Sequence, residues 1–215
     1  MQKFSFKVNQ KNFIQKINFV KSIISTKNAI PIIQNIVINL SDEGKLTLKT
    51  TDLETTMTIG VDIESFNNYG EVCVDAVKLK GLVENINADD VIEFIVNDTK
   101  ATLKTPNGKY NIVAESTEEY PLSGVLEDDD SNPVIVPIKT LISIFNKTRF
   151  AVAEDELRPV MCGVMLKLDG SQVVGVATDS HVLSLCKRDS DIKDLLSSSI
   201  IIPSKPIKCM EMLFK

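Results

Sequence analysis

The sequence predicts an α+β protein made of two tandem copies of one domain, the second cut short. Three observations predict it. The chain matches itself at an offset of about 128 residues, each copy passes between helical and strand periodicity in the same order, and basic and acidic residues segregate along both copies alike. A length of 215 residues with 43% hydrophobic side chains is enough for one large domain or two ordinary ones.

Four matches, in order, carry the repeat. "VNQKNFIQKI" from Val8 aligns with "VPIKTLISIF" from Val136, setting Lys11 on Lys139, Phe13 on Leu141 and Ile17 on Phe145. "IPIIQNIVINL" from Ile30 aligns with "RPVMCGVMLKL" from Arg158, pairing Pro31 with Pro159 and Leu40 with Leu168. After a one-residue slip, "LTLKTTDLE" meets "VGVATDSHV" and places Thr51-Asp52 on Thr178-Asp179. "VDAVKLKGLVENI" from Val74 then meets "IPSKPIKCMEMLF" from Ile202.

In the first copy Asn9 is a fitting N-cap, and Phe13, Ile14, Ile17, Val20 and Ile24 form an apolar stripe at helical spacing. Between Pro31 and Ile63 apolar and polar residues alternate, with a turn at Asp42-Glu43-Gly44, so antiparallel strands are expected. A second amphipathic helix presents Val77, Leu79, Leu82, Val83 and Ile86 as its apolar set, around Lys78 and Lys80. "VIEFIV", "KATLKT" and "KYNIVAES" follow as three strands, broken at Asn97-Asp98 and Pro106-Asn107-Gly108. The acidic, Pro-containing stretch Glu127 to Pro133 is expected to be a linker, dividing residues 1–127 from residues 128–215. In the second copy nothing corresponds to the last three strands of the first, which predicts an incomplete domain in a chain that is a fragment or a truncated product.

The net charge of −5 conceals three acid-free windows. Met1 to Ser41 holds Lys3, Lys7, Lys11, Lys16, Lys21 and Lys27; Ser131 to Ala153 holds Lys139, Lys147 and Arg149; Leu195 to Met210 holds Lys205 and Lys208. Acids collect in Glu127-Asp128-Asp129-Asp130 and Glu154-Asp155-Glu156. Cys73, Cys162, Cys186 and Cys209 lack metal-ligand spacing, and neither a signal segment nor a long apolar run marks the chain for export or membrane insertion, so reduced thiols in a cytoplasm are expected.

The Arg-Pro-Val-x-x-Gly-Val run at 158–164 and the Ala-Thr-Asp-x-His-x-Leu run at 177–183, with "IPIIQNIVINL" and "LTLKTTDLE" in the first copy, resemble the bacterial DNA polymerase III beta subunit family, the β sliding clamps. The resemblance spans the chain. It implies tandem clamp domains with two helices each on a DNA-facing side and antiparallel sheets outside, three domains per subunit with the third absent here, and a ring of two subunits around duplex DNA. It implies a non-catalytic subunit of the polymerase holoenzyme: no cofactor, no metal, no membrane, and sequence-independent hold on double-stranded DNA. Lys27 and Lys205 fall on positions that touch DNA in the family, and the charge pattern adds Lys11, Lys21, Lys78, Lys139, Lys147 and Arg149. Arg158, Met161, Thr178, His181 and Leu183 would line one wall of a groove for short linear peptides of a replicative polymerase subunit, the clamp loader and repair proteins. Ser180 stands where the family pattern often has glycine, and Val182 where some members have arginine. An edge strand at Lys109, Tyr110, Asn111 and Ile112, with Lys78 and Leu82, would form this chain's half of a homodimer interface in the full-length form.

Asp179 and His181 also raise a hydrolase reading. Catalysis would need a nucleophile, a metal partner or a second base, and the sequence offers none in a recognisable set. Because Thr51-Asp52 recurs where Glu54 replaces the histidine, the Thr-Asp pair is expected to satisfy backbone donors at a strand end. A stand-alone interaction module, binding clamp partners or DNA without ring closure, is the alternative to the clamp.

Overall fold

Asn9 ends the first strand, and its side chain accepts the N–H groups of Lys11 and Asn12 at 3.0 and 3.4 Å, starting the helix that the spacing predicts. A computed structural model describes residues 3–24, 30–121, 134–155, 157–190 and 198–214. The expected linker from Glu127 to Pro133, Lys27 and Glu156 lie outside the described residues. The chain forms two compact units, Met1–Val125 and Leu126–Lys215.

In unit 1 the order is β1 (Phe4–Asn9), α1 (Gln10–Lys21), β2 (Asn35–Leu40), β3 (Leu46–Thr51), β4 (Thr56–Val61), β5 (Ser65–Asn67), β6 (Gly70–Asp75), α2 (Ala76–Glu84), β7 (Val91–Asn97), β8 (Lys100–Thr105) and β9 (Gly108–Glu115). They form one nine-stranded sheet in the order β4-β3-β2-β6-β9-β8-β7-β1-β5. Each neighbouring pair runs antiparallel. Phe13, Ile17 and Val20 of α1 and Ala76, Leu79 and Val83 of α2 pack with Phe6, Ile38, Leu48, Val74, Phe94 and Leu103 into a single core. Val77, expected among the apolar set of α2, is instead exposed, because Leu79 and Val83 take the inward face and position 77 is turned away from it. Pro31–Gln34 is a short 3-10 turn rather than strand, since proline fixes φ and has no N–H to give a ladder.

Unit 2 repeats half of this plan: α3 (Ile138–Thr148), β10 (Gly163–Leu168), β11 (Gln172–Thr178), β12 (Leu183–Asp189), β13 (Ser198–Pro203) and α4 (Ser204–Leu213). Its sheet, β12-β11-β10-β13, is the counterpart of β4-β3-β2-β6, and Pro159–Met161 repeats the 3-10 turn at Pro31. Ile144 and Phe145 of α3 and Ile207 of α4 bury against Val164, Leu166, Val173 and Ala177. Arg188 of β12 donates from Nε and Nη2 to Ser143 Oγ at 3.0 and 2.9 Å, tying sheet to helix. Among the described residues no helix is long and apolar enough to cross a membrane.

One buried polar cluster in unit 1 gives a testable pH dependence. Tyr120 folds back on the sheet, where its Oη accepts the Thr51 N–H at 3.1 Å and its O–H donates to the Asn35 carbonyl. Burial, then Thr51's opposing hydrogen bond and the nearby Cys73, leave its phenol pushed up to about 12. The Cys73 thiol is also pushed up to about 12, by burial first and then by Glu71 and Glu115. Both groups stay neutral in the folded state across a range in which the unfolded thiol and phenol ionise, from ordinary values of 9.0 and 10.0. A raised folded pKa gives stability that is full below the unfolded value and is lost as pH rises. The denaturation midpoint of unit 1 is therefore expected to fall between pH 9 and about 12. Cys73→Ala with Tyr120→Phe flattens that fall, as denaturant titrations across the range would show.

Candidate functional site

The Thr-Asp turns of the two units share the same hydrogen bonds from the Thr and Asp side chains to the backbone. In unit 1 Asp52 Oδ1 accepts the Glu54 and Thr55 N–H groups at 3.1 and 2.7 Å, and Thr51 Oγ1 donates to the Thr55 carbonyl at 3.2 Å. In unit 2 Asp179 Oδ1 accepts the His181 and Val182 N–H groups at 2.9 and 2.7 Å, and Thr178 Oγ1 donates to the Val182 carbonyl at 2.8 Å. The third residue of each turn, Leu53 or Ser180, sits at φ 81°, a left-handed conformation in which glycine is at home and other residues are strained. The Val182 and His181 N–H groups hold the Asp179 carboxyl below its usual range. Its contribution to the turn is present above the ordinary carboxylate pKa and disappears as pH falls through the lowered one. Asp179 is thus a turn-former, which is the role its recurrence as Asp52 predicts.

This turn sets one wall of the expected groove. Arg158 Nη1 donates to Ser180 Oγ at 2.7 Å, and Met161 Sδ lies 3.5 Å from the same hydroxyl. Thr178 and Leu183 face each other as register partners of β11 and β12. Arg158, Met161, Thr178 and Leu183 are therefore brought together around Ser180, with the His181 backbone in the turn beside them. Leu183 is 66% exposed, and Leu157 and Val160, which are not among the expected groove residues although Val160 belongs to the Arg-Pro-Val motif, are 90% and 70% exposed. The signal available for the latter two is their apolar character inside an otherwise charged loop, "EDELRPV". Ser184 Oγ donates to the Lys147 carbonyl at 2.7 Å, which docks the start of β12 on the end of α3.

The described lysines of the expected DNA-facing set sit on the helices, while others lie on strands, Lys49 on β3 and Lys167 on β10 among them. Lys11 is exposed and Lys21 half-buried on α1, which contains no acidic residue; Lys78 is exposed on α2. Lys139 and Lys147 are exposed on α3, also without an acid, and Lys205 is half-buried on α4. Lys139 lines an open cavity of about 380 Å³ with Ile138, Ile142, Ser143, Asn146 and Phe214. Arg149, by contrast, is held in an ion pair with Glu211 of α4, whose carboxylate is buried. Its charge neutralises a neighbour and ties α3 to α4.

The expected interface strand is an edge over most of its length. Residues 108–113 of β9 pair with β8, while β6 reaches β9 at Glu115 and Ala114. Lys109 and Tyr110 are exposed, and Leu82 is partly buried against the core of the same unit. Ile112 is buried in the unit's own core, so at this edge it can offer its backbone but not its side chain.

Two family profiles match in succession: "DNA polymerase III beta subunit, N-terminal domain" over residues 4–124 and "DNA polymerase III beta subunit, central domain" over residues 135–215. Similar proteins include a beta sliding clamp of Pseudomonas aeruginosa, 24% identical over 94% of this chain and 54% of its own length. One of Streptococcus pneumoniae is 28% identical with the same coverage. A crystal structure of a DNA polymerase sliding clamp from Bacillus subtilis superposes with a TM-score of 0.89 at 22% identity, covering 98% of this chain and 57% of that one. The beta chain of DNA polymerase III from Streptococcus pneumoniae does so at 0.84 and 27% identity, covering 100% and 57%. The chain spans about half the length of the curated relatives it matches.

Proposed function

Because the chain belongs to the DNA polymerase III beta subunit family, we propose that it acts as a DNA polymerase processivity factor, one that encircles duplex DNA in a ring dimer and tethers the polymerase to its template. The observation that carries the reading is the pair of acid-free helices, α1 and α3, each presenting lysines to solvent, while the only helical acids among the described residues are Glu84 at the end of α2 and Glu211, which is buried in α4. A tether that slides needs weak, uniform phosphate contacts and topological retention rather than base readout. Lys11, Lys21, Lys78, Lys139, Lys147 and Lys205 suit that task, with Lys27 added from the sequence, while Arg149 belongs to the α3–α4 contact first. Fluorescence anisotropy with two duplexes of unrelated sequence tests this. Affinities agreeing within about twofold and falling steeply with salt are expected; a preference beyond about tenfold for one sequence would point to base readout instead.

Arg158, Met161, Thr178, His181 and Leu183 form, in this proposal, one wall of a groove for short linear peptides. The replicative polymerase subunit, the clamp loader and repair proteins would carry them. Exposed aliphatic side chains around a hydrogen-bonded arginine suit one or two apolar anchors from an extended segment. His181→Ala in the full-length protein is expected to weaken peptide binding by about fivefold, and an unchanged calorimetric titration would remove His181 from the site. Lys78, Leu82, Lys109 and Tyr110, with the backbone of Ile112, would contribute this chain's half of the subunit interface.

A further inference from the structure

The groove wall is apolar at its centre and acidic around it. Leu157, Val160, Val182 and Leu183 are all exposed. The Arg158 guanidinium is already engaged, with Nε on Asp155 Oδ2 at 3.3 Å and Nη1 on Ser180 Oγ at 2.7 Å. Asp155 also caps the Leu157 N–H at 3.1 Å, so it stays beside both residues. Glu154 is exposed and follows Ala153, whose N–H donates to the Met161 carbonyl at 2.9 Å. Asp179, held ionised by the turn, immediately precedes Ser180. Asp155 pairs with the guanidinium, Glu154 and Asp179 stand next to Asp155 and Ser180 along the chain, and residue 182 presents an exposed aliphatic side chain rather than a second positive charge.

We propose that this wall selects peptides whose aliphatic or aromatic anchor is flanked by lysine or arginine, a specificity that rests on the peptide-groove reading above. The anchor would sit on Val160 and Leu183, while its flanks pass Glu154, Asp155 and Asp179 within a Debye length of about 8–10 Å. Acidic flanks would meet like charge at the same distances, so the same groups that favour a basic flank disfavour an acidic one. Val182 and Glu154 are then the residues that set the preference.

The test uses the full-length protein, as for His181→Ala, isotopically labelled for NMR, and two synthetic decapeptides sharing a Leu-Phe anchor, one flanked by lysines and one by glutamates. Amide shifts of residues 157–161 and 178–183 report binding to the wall. The lysine-flanked peptide is expected to bind about fivefold tighter at low salt, the effect of a few exposed charge pairs. The preference should fall below about twofold in 0.5 M salt, as screening requires. Glu154→Gln combined with Val182→Arg, both at exposed positions, should abolish or reverse it. Equal affinities with shifts on the wall would overturn the charge selection and leave the groove standing, and a tighter glutamate-flanked peptide would do the same. Shifts on the wall with neither peptide would contradict the groove itself, and the selection with it.

Discussion

Phe94→Ala should cost unit 1 about 4 kcal/mol, within the usual range for removing a buried phenylalanine. Phe94 of β7 is fully buried and stacks on Phe6 of β1 with ring centroids 5.1 Å apart and planes 14° from parallel. Phe13 of α1 meets both rings edge-on, at 6.0 Å from Phe6 and 6.4 Å from Phe94. The rings are locked by the ladder, since Phe6 and Phe94 are register partners in the β1–β7 pair. Neither can slide into the space left by the other without breaking register, so the cavity persists and the loss exceeds simple transfer of the side chain. Against the roughly 5–15 kcal/mol that holds a domain folded, unit 1 would become marginal. Hydrogen exchange should show β1 and β7 losing protection together; a loss below about 1 kcal/mol would mean the three rings do not form the centre of the core.

Gly175→Ala should destabilise unit 2 by about 3 kcal/mol, at the upper end for overpacking. A Cβ on Gly175 of β11 would collide with Cγ2 of Ile144 and lie 3.6 Å from Thr148 Cγ2, both on α3. Ile144 is β-branched and in a helix, so its χ1 has one favourable setting and cannot swing aside. Thr148 is fixed as well, its hydroxyl donating to the Ile144 carbonyl at 2.9 Å. In unit 1 the corresponding place in β3 holds Leu48, buried, so the sheet fills there the volume that the helix fills here. Ile144→Ala combined with Gly175→Ala should recover part of the loss, the non-additivity expected of two residues that compete for one space. Purely additive losses in denaturant unfolding would show that the two residues do not share the space.

The same two sites show what the sequence made legible. Helix α1, strands β2 to β4 and β7 to β9, and the Thr-Asp turns follow from local periodicity and from duplication, because each is written in contiguous residues. β1 carried the right alternation in "FSFKVN", yet nothing local says that it pairs with β7, more than 80 positions away. β6 has little alternation to read, because Val72, Cys73 and Val74 are all buried. Side-chain pairs across long separations were equally hidden: Arg149 meets Glu211, Gln10 Nε2 reaches the Val83 carbonyl at 2.8 Å, and Tyr120 closes on Thr51. Arg149 is the instructive case at the candidate site, since composition counts its charge as available and tertiary packing assigns it to a buried carboxylate. Ser180 is another: the motif marks its position, but only the fold sets its hydroxyl between Arg158 and Met161.

Topological retention is what separates a sliding tether from an ordinary basic DNA binder, and it is measured directly on closed circular DNA. The gene product purified from its own cells, loaded onto nicked plasmid with its clamp loader, should remain on the circle through washes at about 0.5 M salt, where phosphate contacts are largely screened. Cutting the plasmid once should then release it. Retention that survives linearisation, or that vanishes from the intact circle at the same salt, would contradict the processivity-clamp account.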